Sequence, residues 1–354
     1  MSWRLEKLKS APKSRALLFR LGAIVFGLLI AGAVLGVLGF DPLAMATQAL
    51  GYTLGSSFGL QDLGTLVTPL LLTGLAAMVA MRVNLWNIGG EGQFYMGAWA
   101  AAGIGIYING PSFIMLPLMF LAGAMAGAAW IALPAFAKAR ANVDEIITTL
   151  LMNFIALLWV GYFASGPWRD PKEVITASTF KIQYALPEWF GIWNIGIFIV
   201  LAVILASWVL FNKTVWGYET SYVGANPDSA KYAGIPAGKR IITTMLLSGA
   251  IAGIAGALEV SGTVSRLQVG ISSQFGYLGI VIAALAVGSH IGIIIAAFLM
   301  GLLLNAGIIF ETQGLSLHAV IALTGWLLLL VGIAQVAAGY RLVRIPPASQ
   351  KPAG

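Results

Sequence analysis

The chain reads as an all-α, polytopic integral membrane bundle of about ten transmembrane helices with both termini cytoplasmic, and three observations carry that expectation. Of its 354 residues, 59% are hydrophobic and only 9% charged, against about 25% charged in a soluble domain. The apolar residues gather into ten runs that can cross a hydrocarbon core of about 30 Å, some of them only with tilt or partial burial. The basic residues flank those runs asymmetrically, as orientation signals do.

The first run, 17–40, follows a basic N-terminal segment, 1–16, that carries Arg4, Lys7, Lys9, Lys13 and Arg15. At about 20 residues it exceeds the roughly 7–15 of a signal-peptide core, so it is expected to stay as a span even though Ala44-Met45-Ala46 could pass for a cleavage site. The further runs are 65–81, 94–109, 112–136, 145–165, 191–210, 241–260, 277–289, 291–309 and 316–339. The third is weakened by Gly103, Gly105 and Asn109, and the eighth and ninth are divided only at Ser289-His290. With the N-terminus inside, only Arg169, Lys172, Lys181 and Arg266 of the 20 basic residues fall outside. That layout makes 17–340 one transmembrane domain with a cytoplasmic segment over 211–240 and a cytoplasmic tail over 341–354, disordered from Ile345. The largest external loop is 166–190.

Composition also excludes. Cysteine is absent, so disulfides, thiolate metal sites and cysteine nucleophiles are ruled out. His290 and His318 stand far apart with no carboxylate at ligand spacing, so no metal site is expected. The net charge of +7 is accounted for by the span flanks and implies no nucleic acid.

Gly123-x3-Gly127 and Gly249-x3-Gly253 carry small residues at the spacing that lets helix backbones approach, and are read as packing surfaces. Asn87-Ile-Gly89-Gly90-Glu91-Gly92-Gln93 places a carboxylate, two amides and glycines directly between two apolar runs. Either it is a tight turn capping the third span, or it is irregular backbone beside a translocation path, tolerated at depth only where protein or water satisfies it. Asn142-Val-Asp144-Glu145 opens the fifth span with an N-cap and acids at the positive helix end. Asn153 and Asn305 are isolated polar groups expected to bond across helices or to line a path. Trp159, Tyr162, Trp189 and Trp193 lie near span ends, as interfacial aromatics do.

The segment 211–240 is a polar island between apolar runs. Within it Asn226 is a helix N-cap, Pro227 occupies the first helical position, Asp228 faces the positive end of the dipole, Gly234 stops the helix and Pro236 bars its continuation. A helix of about two turns is too short to persist alone, so it must pack against something. Gly234-Ile-Pro-Ala-Gly238-Lys239-Arg240 resembles a phosphate-binding loop only superficially: one residue is missing between the glycines, Arg240 stands where Ser or Thr is needed, and no strand precedes it. ATP chemistry is therefore not expected on this chain.

Three segments together resemble the permease subunits of ATP-binding-cassette importers, in the nucleoside and simple-sugar branch related to ribose and branched-chain amino acid permeases. They are Asn87 to Gln93 leading into Met96-Gly97-Ala98, Asn142 to Asn153, and Gly224 to Ile235. The resemblance covers roughly 60–340, with two departures: Leu151-Met152 reverses the usual order, and Asp228-Ser229-Ala230 alters two leading residues of a signature whose spacing to Gly234 is kept. It implies a multi-pass protein of the bacterial inner membrane that is not itself an enzyme and carries no cofactor. ATP and magnesium would belong to a separate cytoplasmic ATPase. Further implied partners are a second permease subunit, identical or related, a periplasmic or lipid-anchored substrate-binding protein, and membrane lipid. On that basis Asn87, Glu91, Gln93 and Asn153 are candidates for the substrate path, and Gly224, Asn226, Asp228, Ala230 and Gly234 for coupling to the ATPase. An ion-coupled secondary transporter would share the spans, but needs embedded acids or histidines, for which only Glu91 and Glu259 come close. A membrane-embedded enzyme would need clustered acids or histidines at the interface, and a scaffold would leave the Asn87 element unexplained. Spans that contain aromatics but few polar groups lean toward nucleosides or bases over sugars.

Overall fold

A computed structural model describes residues 2–8, 13–173 and 176–345. In chain order its elements are strand β1 (Ser2–Lys7), helices α1 (Lys13–Val37), α2 (Pro42–Gly55), α3 (Ser57–Met81), α4 (Gly90–Tyr107), α5 (Ser112–Ala141) and α6 (Glu145–Ser165), and strands β2 (Glu188–Phe190) and β3 (Trp193–Asn194). They continue through α7 (Gly196–Lys213), α8 (Val215–Ala225), α9 (Pro227–Tyr232), α10 (Ala237–Glu259), α11 (Phe275–Ala286), α12 (His290–Thr312), α13 (Leu317–Ala338) and strand β4 (Tyr340–Ile345). Contacts divide them into two compact units, one of residues 52–305 and one formed by both chain ends up to 51 and from 306.

Each of the ten apolar runs falls on one helix. Six helices among the described residues are long and apolar enough to cross a membrane, namely α3, α5, α6, α7, α10 with its continuation to Val264, and α12. A seventh results if α1 and α2, bent by 116°, count as one span. The chain is thus an α-helical, multi-pass membrane bundle. By contrast α11, with 12 residues, reaches about 18 Å and is too short to span alone.

The larger unit is built on a glycine seam. The spacing in Gly123-x3-Gly127 and Gly249-x3-Gly253 sets these four residues on facing surfaces of α5 and α10. A Cβ on Gly127 would collide with the Gly249 carbonyl, and one on Gly253 with that of Gly123. From α4, Gly97 packs on the Gly253 backbone in the same way, and Gly256 of α10 on Phe94. Three helices thereby meet at backbone contact, which replaces the hydrophobic drive that lipid removes. Against this seam α3 runs almost wholly buried, with Leu70, Leu72 and Leu75 fully enclosed.

Two features depart from the sequence reading. Residues 42–55 lie outside the ten apolar runs, yet they form α2, because the Asp41 carboxylate accepts from the Leu43 and Ala44 N–H groups and Pro42 starts the helix. Ala44-Met45-Ala46 lies inside it, and Met45 packs with Leu35 and Leu315. Likewise β1 and β4 pair antiparallel from Ser2 opposite Ile345 to Lys7 opposite Tyr340. These strands fall in segments expected to be a basic N-terminus and a tail, where a strand is recognisable only through its distant partner. The remainder of the expected disordered tail, 346–354, lies outside the described residues.

Candidate functional site

Between α3 and α4 the backbone leaves the helical conformation over residues 82–89, with Asn84 at φ 56°. Helix α4 then starts at Gly90, inside the glycine-rich element, so Glu91 and Gln93 occupy its first turn. The break turns Asn87 inward, where its Nδ2 donates to Gln93 Oε1 and to Ser248 Oγ of α10, both at 2.9 Å. Gln93 Nε2 returns a bond to Asn87 Oδ1 at 2.9 Å, and Gly89 N donates to the same oxygen at 3.0 Å. Ser248 Oγ in turn donates to the Ala76 carbonyl of α3 at 2.7 Å.

Asn153 of α6 closes the other side. Its Oδ1 accepts from Gly92 N at 2.8 Å, while its Nδ2 donates to the Ile88 carbonyl at 2.9 Å and to the Tyr277 hydroxyl at 3.2 Å. Glu91 Oε2 accepts from Gly276 N at 2.9 Å, so the N-terminus of α11 faces a carboxylate across the bundle. Asn87, Glu91, Gln93 and Asn153 are all buried. The four expected path residues thus meet in one polar knot that joins α3, α4, α6, α10 and α11, with their amides engaged by each other and by backbone. The Asn87 element is irregular backbone at the start of α4 whose polar groups are satisfied by protein. Asn305, the other isolated amide, donates to Thr53 Oγ1 at 3.1 Å. The expected N-cap with two acids behind it is shifted by two residues: Asn142 ends α5 in the left-handed conformation at φ 51°, Asp144 is itself the N-cap of α6, and Glu145 pairs with Lys138 of α5 at 2.9 Å.

The polar island folds as α8 and α9. Asn226 Oδ1 accepts from the Asp228 and Ser229 N–H groups, both at 3.0 Å, and Gly234 at φ 78° ends the turn. Ala230 is fully buried with Val223, Val83, Leu85 and Met245, and Ile235 packs against the same group. On the adjoining face a Cβ on Gly224 would strike the Arg82 carbonyl. Gly224 therefore rests on the first residues of the 82–89 break, ahead of Asn87 in the chain, and Ala230 shares a buried cluster with Val83 and Leu85. Glu219 and Arg240 form an ion pair that ties α8 to the start of α10. Asp228, Lys231 and Tyr232 point outward, Tyr232 with 95% of its surface exposed.

Arg82, just beyond α3, donates to the Gly288 carbonyl at 2.9 Å and lies 5.2 Å from the centroid of the Phe211 ring. Burial lowers its pKa from the usual value, though an arginine remains a cation. His290 is buried and shares a hydrogen bond of 3.2 Å with Ser207 Oγ.

At the opposite end of α10 the helix widens into a π turn over Val260–Val264. The loop that follows α6 lies antiparallel to it: Thr179 N donates to the Leu267 carbonyl, Ile182 N to Ser265 and Leu186 N to Ser261, at 3.0, 2.8 and 2.7 Å. Arg266 is salt-bridged to Glu173. This strap borders a cavity of ≈ 640 Å³ lined by Thr65, Lys181, Gln183, Glu188 and Thr263 among others. Sequence reasoning missed it, as it missed Ser248 and Tyr277, since a hydroxyl in an apolar helix carries no local signal of its partner.

Residues 59–334 match the family model described as "Branched-chain amino acid transport system / permease component". The chain is 33% identical over 276 residues to a guanosine ABC transporter permease of Bacillus subtilis, covering 76% of this chain and 79% of that protein. It is 32% identical over 275 residues to a glucose ABC transporter permease of Haloferax volcanii, covering 74% and 72%. A nucleoside ABC transporter permease of Lactococcus lactis is 30% identical over 290 residues, covering 77% and 79%. No solved structure matches.

Proposed function

Because the chain belongs to the family of permease components of branched-chain amino acid transport systems, we propose that it forms half of the translocation path of an importer for a nucleoside or simple sugar. The relatives named for guanosine, nucleosides and glucose support that substrate range. Both kinds of solute are polar and neutral, which suits a bundle whose embedded carboxylates are few. A second permease, identical or related, completes the path, and a substrate-binding protein delivers to the strap face.

The carrying observation is the seat of α9. Ala230 is buried in one apolar cluster with Val83 and Leu85, and Gly224 at the end of α8 lies against the Arg82 and Val83 backbone, so a push on the outer face of α9 bears on the break that holds Asn87. We assign α9 as the contact for a separate ATPase, which holds the ATP and magnesium, with Asn226 and Gly234 bounding the contact, Asp228 exposed on it, and Gly224 and Ala230 seating it. Helix α10 starts at Ala237 and runs without interruption to the π turn beneath the strap, which makes it the rod that carries the movement. The knot of Asn87, Glu91, Gln93 and Asn153 then acts on the path as the joint that holds α4 and α6 in register while the rod moves. Both termini in the cytoplasm complete the arrangement.

The test is uptake of radiolabelled nucleosides and pentoses by vesicles that contain the whole complex, with an ATPase-dead complex as control. Nucleoside uptake that requires the active ATPase is expected, and transport without any ATPase subunit sinks the reading. Asp228→Arg and Gly234→Pro should leave the chain inserted while ATP hydrolysis no longer drives uptake. Unchanged coupling in both variants refutes the role of α9.

A further inference from the structure

Where the start of α1 meets the end of α13, the geometry points to a binding site for an anionic phospholipid, with Arg15 as the group that holds its phosphate. A cavity of ≈ 670 Å³ lies there, lined by Phe19, Ile333, Val336, Tyr340 and Arg15, the last of which is the one charged residue among the described residues that line it. That volume is in the range of small-molecule sites, roughly 300–1,000 Å³. Phe19, Ile333 and Val336 expose large apolar surface.

Arg15 is incompletely satisfied. Its Nη2 donates to the Tyr340 carbonyl at 2.5 Å, and its guanidinium carbon lies 5.3 Å from the centroid of the Phe19 ring. Its Nε is buried without an acceptor. The nearby cation Arg341 is neutralised by Glu6 at 2.8 Å. Among the described residues no carboxylate pairs with Arg15. A buried donor on a cation costs free energy until an acceptor reaches it.

Charge complementarity and the apolar wall together select the occupant. A free inorganic anion would satisfy the guanidinium but leave Phe19, Ile333 and Val336 in contact with water. A neutral apolar molecule would cover the wall and leave Nε unpaired. A phosphodiester joined to an acyl chain does both, since guanidinium matches phosphate oxygens geometrically and the first turn of a span sits at headgroup depth. The assignment to the cytoplasmic leaflet rests on the proposed topology, and that leaflet is where anionic lipids meet basic residues.

The test uses the full-length chain in its assembled transporter, purified in detergent and offered phosphatidylglycerol or phosphatidylcholine of equal chain length, with retained lipid read by native mass spectrometry. Phosphatidylglycerol is expected to be retained preferentially, and Arg15→Gln to cut that preference by about fivefold, as removal of one interfacial cation does. Val336→Trp, which narrows the cavity and keeps the cation, should reduce retention of both lipids at this site in an intact assembly. Millimolar inorganic phosphate should displace neither. Equal retention of the two lipids, a preference that survives Arg15→Gln, or displacement by inorganic phosphate each overturns the site. In whole cells Ser14→Cys should resist an impermeant maleimide. Labelling from outside overturns the leaflet assignment, whatever the detergent assay reads, so failure of the site and failure of the topology are told apart.

Discussion

At the residue scale, Asn153 shows how one amide holds three elements. It serves the Gly92 N–H and the Ile88 carbonyl on either side of the α4 start and the Tyr277 hydroxyl of α11. Replacing it by alanine leaves a buried donor and acceptor unpaired, which costs about 1–3 kcal/mol. Interhelical bonds in membrane proteins average nearer 0.6 kcal/mol, because the unfolded chain in lipid also finds partners. Asn153→Ala is therefore expected toward the low end, lowering the melting midpoint of the detergent-solubilised protein by a few degrees; an unchanged midpoint would count against the knot. Gly224→Leu should do more, since its side chain would enter the Arg82 backbone with no flexible atom to yield. That variant is expected to lose coupled uptake, measured against its insertion level. The amides were legible in the sequence as polar residues in apolar surroundings. Their partners were not: Ser248 lies 161 residues from Asn87, and nothing local marks one serine of α10 above another.

At the element scale, α9 is the clearest case of local code. Asn226, Pro227 and Gly234 set a start and a stop six residues of helix apart, and the structure reproduces both. Asn226→Ala removes the acceptor for two N–H groups and should cost about 1 kcal/mol. Its expected readout is faster proteolytic nicking of the island in a chain that still inserts; an unaltered cleavage rate would argue that burial of Ala230, and not the cap, holds the helix. A similar signature, Asp41-Pro42, opens α2, where the run that follows is too short to suggest a span. The glycine seam belongs to this scale too. Either glycine pair alone is a common feature of membrane helices, whereas the finding that α5 and α10 present theirs to each other makes them one interface. Gly127→Leu should drive the two helices apart and abolish a folded, monodisperse product, while Gly36→Leu, at a position where a Cβ meets nothing, should be tolerated.

At the scale of the whole molecule, the absence of cysteine makes topology directly testable, because single cysteines can be introduced without background. Helix α7, at 18 residues about 27 Å long, separates Glu188 from Tyr232. With Tyr232 cytoplasmic, Tyr232→Cys should react with an impermeant maleimide only after cells are opened, and Glu188→Cys in intact cells. Reaction of both from the same side would overturn the arrangement of spans. The sequence by itself determined where ten of the helices lie and that the chain is a multi-pass membrane protein, because the hydrocarbon thickness sets a minimum apolar length that each run either meets or does not. It likewise determined the cap of α9, which depends on residues three apart. Only the tertiary structure decided that Asn87, Gln93, Ser248 and Asn153 form one knot, that the island shares a buried cluster with Val83 and Leu85, and that β1 pairs with β4. Those are pairings between groups far apart in the chain, and a bilayer, which rewards apolar surface everywhere equally, leaves no pattern in the sequence to say which helix meets which.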